Sequence, residues 1–291
     1  MSSVQGDRVL VAVTRDGLLR ARAAATSDLV GEALAARRLS RLASLALARA
    51  LTTAAVYPVT EKDAERVSFQ WSGKGVLGTL MAEIRPPGFL RALATVPDAR
   101  QPEGRYRGRR GVGFGLLPGG FLSILKQDAT GAWTQGQVEL STGEIDEDLE
   151  HFFRSSEQTP TRVRVLTNLN AGARPVEAGG VLVQCLGGAP EDLLPDARLH
   201  ERLGARDAPE SMLEVAFGGR SFDVLEEHPL SYRCPCSRER IEDGIMLLEA
   251  GELLDMINED EGARVHCDFC GTLYAFDRLQ LEDILARKLT S

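Results

Sequence analysis

Four cysteines constrain this chain more than any other feature. Cys234-Pro235-Cys236 is followed by thirty residues and then by Cys267-Asp268-Phe269-Cys270, so four of the five cysteines lie in the last sixty residues. Two close pairs set apart by a helical span have the layout of a four-thiolate zinc site. Zn²⁺ takes four sulfurs tetrahedrally at roughly 2.3 Å, and each local pair supplies two of them.

The pairs differ. Cys267 and Cys270 sit at i and i+3 of an expected turn, with Gly271 where a positive φ is often needed. Arg264-Val265-His266 and Leu273-Tyr274-Ala275-Phe276 read as the strands of a hairpin framing it. Between Cys234 and Cys236, Pro235 fixes its own φ and pushes Cys234 extended. Two extended residues span roughly 6.6–7.2 Å, at or beyond the limit of about 6.8 Å for disulfide-linked Cα atoms. Side chains two apart on an extended chain share a face, which suits a shared metal; a disulfide there requires the backbone to bend.

With 291 residues, 43% hydrophobic and 26% charged, the chain has the composition of a soluble globular protein with room for a substantial core. Met1 to Asp7 lack the basic and apolar regions of a signal peptide, and no stretch reaches the roughly eighteen apolar residues of a membrane span. A cytoplasmic protein without a membrane role is expected, and there cysteine clusters bind metal or do redox chemistry more often than they staple a fold. The net charge of −8 conceals an asymmetry. Residues 1–190 carry 23 Lys and Arg against 19 Asp and Glu, whereas residues 191–291 carry 11 against 23. The cysteine-bearing end is acidic, which argues against nucleic-acid binding.

Residues 1–186 read as an α+β core domain. Strands are predicted at Val9 to Val13, Arg66 to Trp71, Val76 to Met81, Gly113 to Leu117, Phe121 to Leu125, Gln135 to Leu140, Arg162 to Leu166 and Val181 to Cys185. Helices are predicted from Ser27, from Ser40 and over Ile145 to Ser156. In the second helix Leu42, Leu45, Ala46 and Ala50 form the apolar stripe, with Arg41, Ser44 and Arg49 outside it. Helices and mostly antiparallel strands come in blocks, which favours α+β over a doubly wound sheet.

Residues 187–231 read as a linker of short helices, since Pro190, Pro195, Pro209 and Pro229 prevent one long helix. Residues 232–291 form the small zinc module. Ser237 is an expected N-cap, Ile241, Ile245 and Leu248 form one stripe, and Gly251 interrupts before a second helix with Leu253, Leu254 and Ile257. Asp277 with Gln280 resembles a capping arrangement for a last helix.

Other motifs are weaker. A thioredoxin-like reading of Cys267 to Cys270 leaves Cys234 and Cys236 unexplained, and the His-x-Glu of a zinc deaminase is missing. Cys185 reads as a buried structural thiol. Gly111 to Gly115 fails the Gly-x-Gly-x-x-Gly pattern at Leu116. Arg105, Arg107, Arg109 and Arg110 read as a solvated basic loop. His151, His200, His228 and His266 make no triad with a nucleophile, so no enzyme is expected.

Cys-x-Cys followed by Ser237-Arg238-Glu239-Arg240, and then Cys-x-x-Cys-Gly, resembles the redox-regulated holdase chaperones of the thirty-three-kilodalton heat-shock family. Phe152 to Thr161 and Gly179 to Gln184 resemble it too, so the likeness runs through core, linker and terminal module. The resemblance implies an ATP-independent chaperone in the cytoplasm, inactive while Cys234, Cys236, Cys267 and Cys270 hold one Zn²⁺. By position it implies redox-active disulfides Cys234–Cys236 and Cys267–Cys270, formed under peroxide with mild heat or under hypochlorous acid. Zinc loss then unfolds the module and linker, and the protein holds unfolded clients, commonly as a homodimer. The turn geometry predicts that Cys267–Cys270 forms first. The competing reading is a constitutive zinc-binding interaction module without redox switching.

Overall fold

The computed structural model describes residues 6–59, 64–100, 112–170, 172, 175–205, 207–259 and 262–290. The chain divides into two compact units between Arg233 and Cys234.

The first unit begins with the hairpin β1 (Arg8–Thr14) and β2 (Leu19–Ala25), then α1 (Ser27–Ala35) and α2 (Arg41–Val56). A meander of β3 (Arg66–Ser72), β4 (Thr79–Arg85) and β5 (Phe89–Ala94) follows, then the single turn α3 (Gly113–Leu116). Next come β6 (Phe121–Gln127), β7 (Trp133–Glu139), α4 (Ile145–Ser155), β8 (Thr161–Leu169) and β9 (Pro175–Cys185). A 3₁₀ turn at Glu191–Leu193, α5 (Leu199–Arg202), α6 (Pro209–Ala216), β10 (Phe222–Pro229) and β11 (Ser231–Tyr232) complete it. One sheet has the order β10-β1-β2-β9-β8 and the other β11-β5-β4-β3-β6-β7. The short β11 runs parallel to β5, and the other neighbours are antiparallel, as the block arrangement predicted.

Helix α2 lies between the sheets, against β4 and β5 on one side and β8 and β9 on the other. Its start is as expected, with the Ser40 hydroxyl accepting from the Ala43 amide at 3.1 Å. Its apolar stripe is not. Ser44 and Arg49, placed outside the stripe, are buried along with nearly the whole helix. Alanines at 43, 46, 48, 50, 54 and 55 let both sheets approach closely. The Arg49 guanidinium donates to Glu144 at 2.8 Å and to Asp146 at 2.6 Å. The acidic start of α4 therefore serves a buried ion-pair network as well as the helix dipole.

Two strand assignments are corrected. Residues 113–117 form α3 and its exit, not a strand: Leu117 has φ +61°, and Gly75 and Leu77 donate to the carbonyls of Leu116 and Gly115 at 2.7 and 2.9 Å. A Cβ at Gly75 would meet the Gly115 carbonyl, so this close backbone approach requires glycine. Val76 to Gly78 turn rather than extend, with Gly78 at φ +63°, and β4 starts at Thr79.

Beyond β9, prolines divide the chain into short helical pieces. Leu199, Leu203, Met212, Leu213 and Phe217 cover the face of the first sheet formed by Leu10, Ala21, Val181 and Val183. The end of this segment is a strand not anticipated from the sequence: β10 pairs with β1 over its full length. Arg8 on β1 bridges Glu210 on α6 at 2.7 Å and Glu227 on β10 at 3.2 Å.

The second unit comprises α7 (Arg238–Met246), α8 (Ala250–Asn258), the hairpin β12 (Gly262–His266) and β13 (Leu273–Asp277), and α9 (Arg278–Thr290). Its core is small: Ile245, Leu253, Ile257, Phe276, Leu281 and Ile284. Ser237 caps α7 by accepting from the Arg240 amide at 3.3 Å. Asp277 and Gln280 cap α9 reciprocally, at 2.9 and 3.0 Å. Gly251 does not interrupt; it lies inside the first turn of α8, which a Glu249–Glu252 capping box begins one residue earlier. Among the described residues no helix is long and apolar enough to cross a membrane.

Candidate metal centre

The second unit brings its two cysteine pairs together. Cys234 and Cys236 lie just before the Ser237 cap, where the Arg240 guanidinium donates to the Pro235 carbonyl at 2.8 Å and ties that segment to α7. Cys267 and Cys270 occupy the turn between β12 and β13. Gly271 closes that turn with φ +72°, its N–H donating to the Cys267 carbonyl at 2.8 Å. The Cys267 amide donates to the Thr272 carbonyl at 2.9 Å, continuing the ladder into the turn.

All four sulfurs lie within 4.8 Å of one another. Two close approaches cross between the motifs: Cys234 to Cys267 at 3.6 Å and Cys236 to Cys270 at 3.3 Å. Four sulfurs at roughly 2.3 Å from one tetrahedral ion stand about 3.8 Å apart. The cluster is thus near the spacing a single metal ion requires, and no pair is joined as a disulfide. The donor set is all sulfur, which suits Zn²⁺ and other thiophilic ions over oxygen-seeking ones.

Neighbouring groups set unequal thiol acidities. Burial pushes the Cys234 thiol up to about 12, and the adjoining sulfur of Cys267 adds to the shift. Burial also raises Cys236, against which the Tyr274 hydroxyl donates a hydrogen bond to its sulfur at 3.2 Å. Burial acts on Cys270 in the same direction, but hydrogen bonds from the Thr272 hydroxyl and backbone outweigh it and bring the thiol down to about 7. The Thr272 hydroxyl lies 3.1 Å from the Cys270 sulfur. The cluster therefore combines thiols that resist ionisation with one that ionises near neutrality; a bound cation would favour the thiolate at all four.

From the sequence Arg240 is legible as part of the motif after Cys236 and Tyr274 only as a hairpin residue, and neither they nor Thr272 can be given a role at the sulfurs. The position of Tyr274 four residues after Cys270 places it where the strand returns past the turn. Cys185 lies outside the cluster, in the first unit. It is buried, its sulfur contacts the Pro190 carbonyl at 3.4 Å, and burial together with Glu191 and Asp192 raises its pKa. Arg105, Arg107, Arg109 and Arg110 lie outside the described residues.

Comparison with known proteins agrees with this architecture. The profile of the family described as Hsp33 protein matches residues 7–277. A 33 kDa chaperonin of Acetivibrio thermocellus is 32% identical, covering 96% of each chain. One from Geobacillus kaustophilus is 32% identical, covering 97% of this chain and 99% of its own. The crystal structure of the 33 kDa chaperonin from Thermotoga maritima, an Hsp33 homologue, matches with a TM-score of 0.86 at 25% identity, over 99% of this chain and 100% of that one.

Proposed function

The chain belongs to the Hsp33 family of chaperones, and from that premise we propose that it is a redox-switched, ATP-independent holdase of the cytoplasm. In this reading it stays inactive while Cys234, Cys236, Cys267 and Cys270 hold one Zn²⁺, and oxidation of those thiols turns it on. The observation that carries the reading is the gathering of four unbridged sulfurs within 4.8 Å in a unit whose own apolar core is six side chains.

A module of this size seldom draws more than roughly 3–5 kcal/mol from its core. A structural zinc ion would supply an apparent ~10–16 kcal/mol of coupled binding and folding. The same four sulfurs are then both the tie and the trigger. Each pair gives two electrons to peroxide: two thiols become one disulfide, and the peroxide leaves as two waters. Sulfurs joined as Cys234–Cys236 and Cys267–Cys270 no longer offer the thiolates that hold the ion, and the residues they anchored lose their tie. Residues 187–231 are proposed as the segment released next. Their amphipathic pieces would expose Leu199, Leu203, Met212, Leu213 and Phe217 to unfolded clients, while ten acids against four bases oppose self-association. A homodimer is the proposed oxidised assembly.

The test is to follow zinc release and light scattering of a heat-unfolded client together during peroxide addition. Suppression of aggregation that appears only as zinc leaves is expected. Equal suppression by reduced and oxidised protein would sink the switch and leave a constitutive interaction module.

A further inference from the structure

Among the described residues of the first unit four arginines are buried: Arg8, Arg22, Arg49 and Arg164. Three of them hold carboxylates, Arg8 with Glu210, Arg49 with Glu144 and Asp146, and Arg164 with Glu150. Arg22 is the exception. It is 5% exposed, and among the described residues no carboxylate lies within ion-pair distance; its Nε is buried without a hydrogen bond, as are those of the other three. A buried cation without a partner is costly, so its retention calls for a ligand or a compensating anion.

Arg22 faces a cavity of about 380 Å³ within the first unit, inside the size range of small-molecule sites. Arg20, two residues earlier on β2 and therefore on the same face, lines it as well. The Arg20 guanidinium donates to the neutral Gln184 amide at 2.9 Å rather than to a carboxylate. Lys126 from β6 and Tyr57 from the end of α2 contribute from the opposite wall. Two carboxylates also line the cavity: Glu157 pairs with Lys126 at 3.0 Å, and Glu226 lies 2.8 Å from the His228 Nε2 and acts on Arg22 through its charge without forming an ion pair with it. The two guanidinium groups are left facing the space together.

Guanidinium groups offer donors only, and their planar fork matches carboxylate and phosphate oxygens. Burial keeps the Tyr57 phenol protonated, pushing it up to about 12. Burial also draws Arg22 down to about 10; the Glu226 charge opposes this and the neighbouring Arg20 adds to it. We propose that the first unit binds a small metabolite by its oxyanion head, phosphate or carboxylate, seated on Arg22 and Arg20 in this cavity, with Lys126 and the Tyr57 hydroxyl completing the site. The inference is independent of the cysteine switch, since every residue it uses lies in the other unit.

Calorimetric titration of the full-length, reduced, zinc-loaded protein tests it, with ribose 5-phosphate and citrate as probes and uncharged ribose as control. Saturable one-site binding of at least one charged probe, and none of ribose, is expected. Binding of the phosphate alone or of citrate alone assigns the head group. Arg22→Met should weaken binding about tenfold or more, the loss expected for a charged hydrogen-bonding group. Without ligand the same variant should melt higher than the parent, because the unpaired buried charge is gone. Should Arg22→Met fail to fold, Arg20→Gln at the half-buried rim carries the same binding test. No saturable heat from either probe up to about 10 mM, where a Kd near 1 mM would be visible, overturns the proposal. So does unchanged affinity in the folded variants.

Discussion

The Tyr274 hydroxyl donates a hydrogen bond of 3.2 Å to the Cys236 sulfur, so strand β13 carries both a flank of the second cysteine motif and a donor aimed at the first. Groups that hydrogen-bond a ligating atom orient it and tune its basicity, and their loss typically costs about 10–100-fold in metal affinity. Tyr274→Phe removes the donor and keeps the ring. Zinc affinity, measured by competition with a chromophoric chelator, is expected to fall about tenfold, and activation should need less peroxide. Unchanged affinity would reduce the hydroxyl to a packing role.

Mild oxidation is expected to yield Cys267–Cys270 before Cys234–Cys236. The former pair already shares a closed turn, with the Gly271 amide on the Cys267 carbonyl at 2.8 Å. In the latter Pro235 favours an extended backbone, so closure is expected to wait until the surrounding chain relaxes. Mass spectrometry of trapped thiols along a peroxide time course reads the order. Since sulfurs of different motifs also approach closely, at 3.3 and 3.6 Å, cross-linked Cys236–Cys270 is the informative contrary product, as is an early Cys234–Cys236 bond.

Chelation without oxidant should unfold one unit and spare the other. With six buried apolar side chains the second unit has little core of its own, whereas the first is built around α2 between two sheets. Hydrogen exchange after zinc removal should show amides of α7 to α9 losing protection while α2 and β3 keep theirs. Retained protection across the second unit would show that the metal is not what holds it folded.

Asp7 gives the first unit a pH dependence. Burial raises its carboxyl from 3.8 to about 6, although the Leu29 amide donates to it at 2.6 Å. The folded state therefore binds the proton more tightly than the unfolded chain. The associated stability is fully present below about pH 4 and is lost as pH rises through about 6. A two-unit shift corresponds to about 3 kcal/mol; the side chain is half-buried, and solvent screening reduces this to about 1–2 kcal/mol. Asp7→Asn keeps an acceptor for Leu29 and should stabilise the protein by that amount at pH 8 in urea titrations, with the gain fading towards pH 4. A gain independent of pH would assign the effect to something other than ionisation.

The features legible in the sequence are those set by neighbours a few residues apart. The spacing of Cys234, Cys236, Cys267 and Cys270, the Ser237 cap, the Asp277–Gln280 pair and the Gly271 turn all emerge as expected. Each is fixed by local backbone geometry or by a side chain bonding its own helix end. Alternating Val67, Phe69 and Trp71 likewise declared β3, because one face of that strand is buried.

Only the tertiary structure decided what depends on distant partners. Arg49 falls off the apolar stripe of α2, yet it is buried because Glu144 and Asp146 meet it from nearly a hundred residues away. Residues 113–117 have strand-like composition but form a turn, since the glycines at 73 and 75 bring another backbone against it. Periodicity counts apolar residues and cannot register an ion pair or a backbone approach that the fold supplies. For the same reason the cysteine motifs declare a shared site, but the approach of Cys234 to Cys267 and of Cys236 to Cys270, and the Tyr274 hydroxyl beside them, came only with the packed hairpin. The cavity at Arg22 is the extreme case: its walls come from β1, β2, β6, β9, β10, α4 and the end of α2, and no local pattern in the chain announces it.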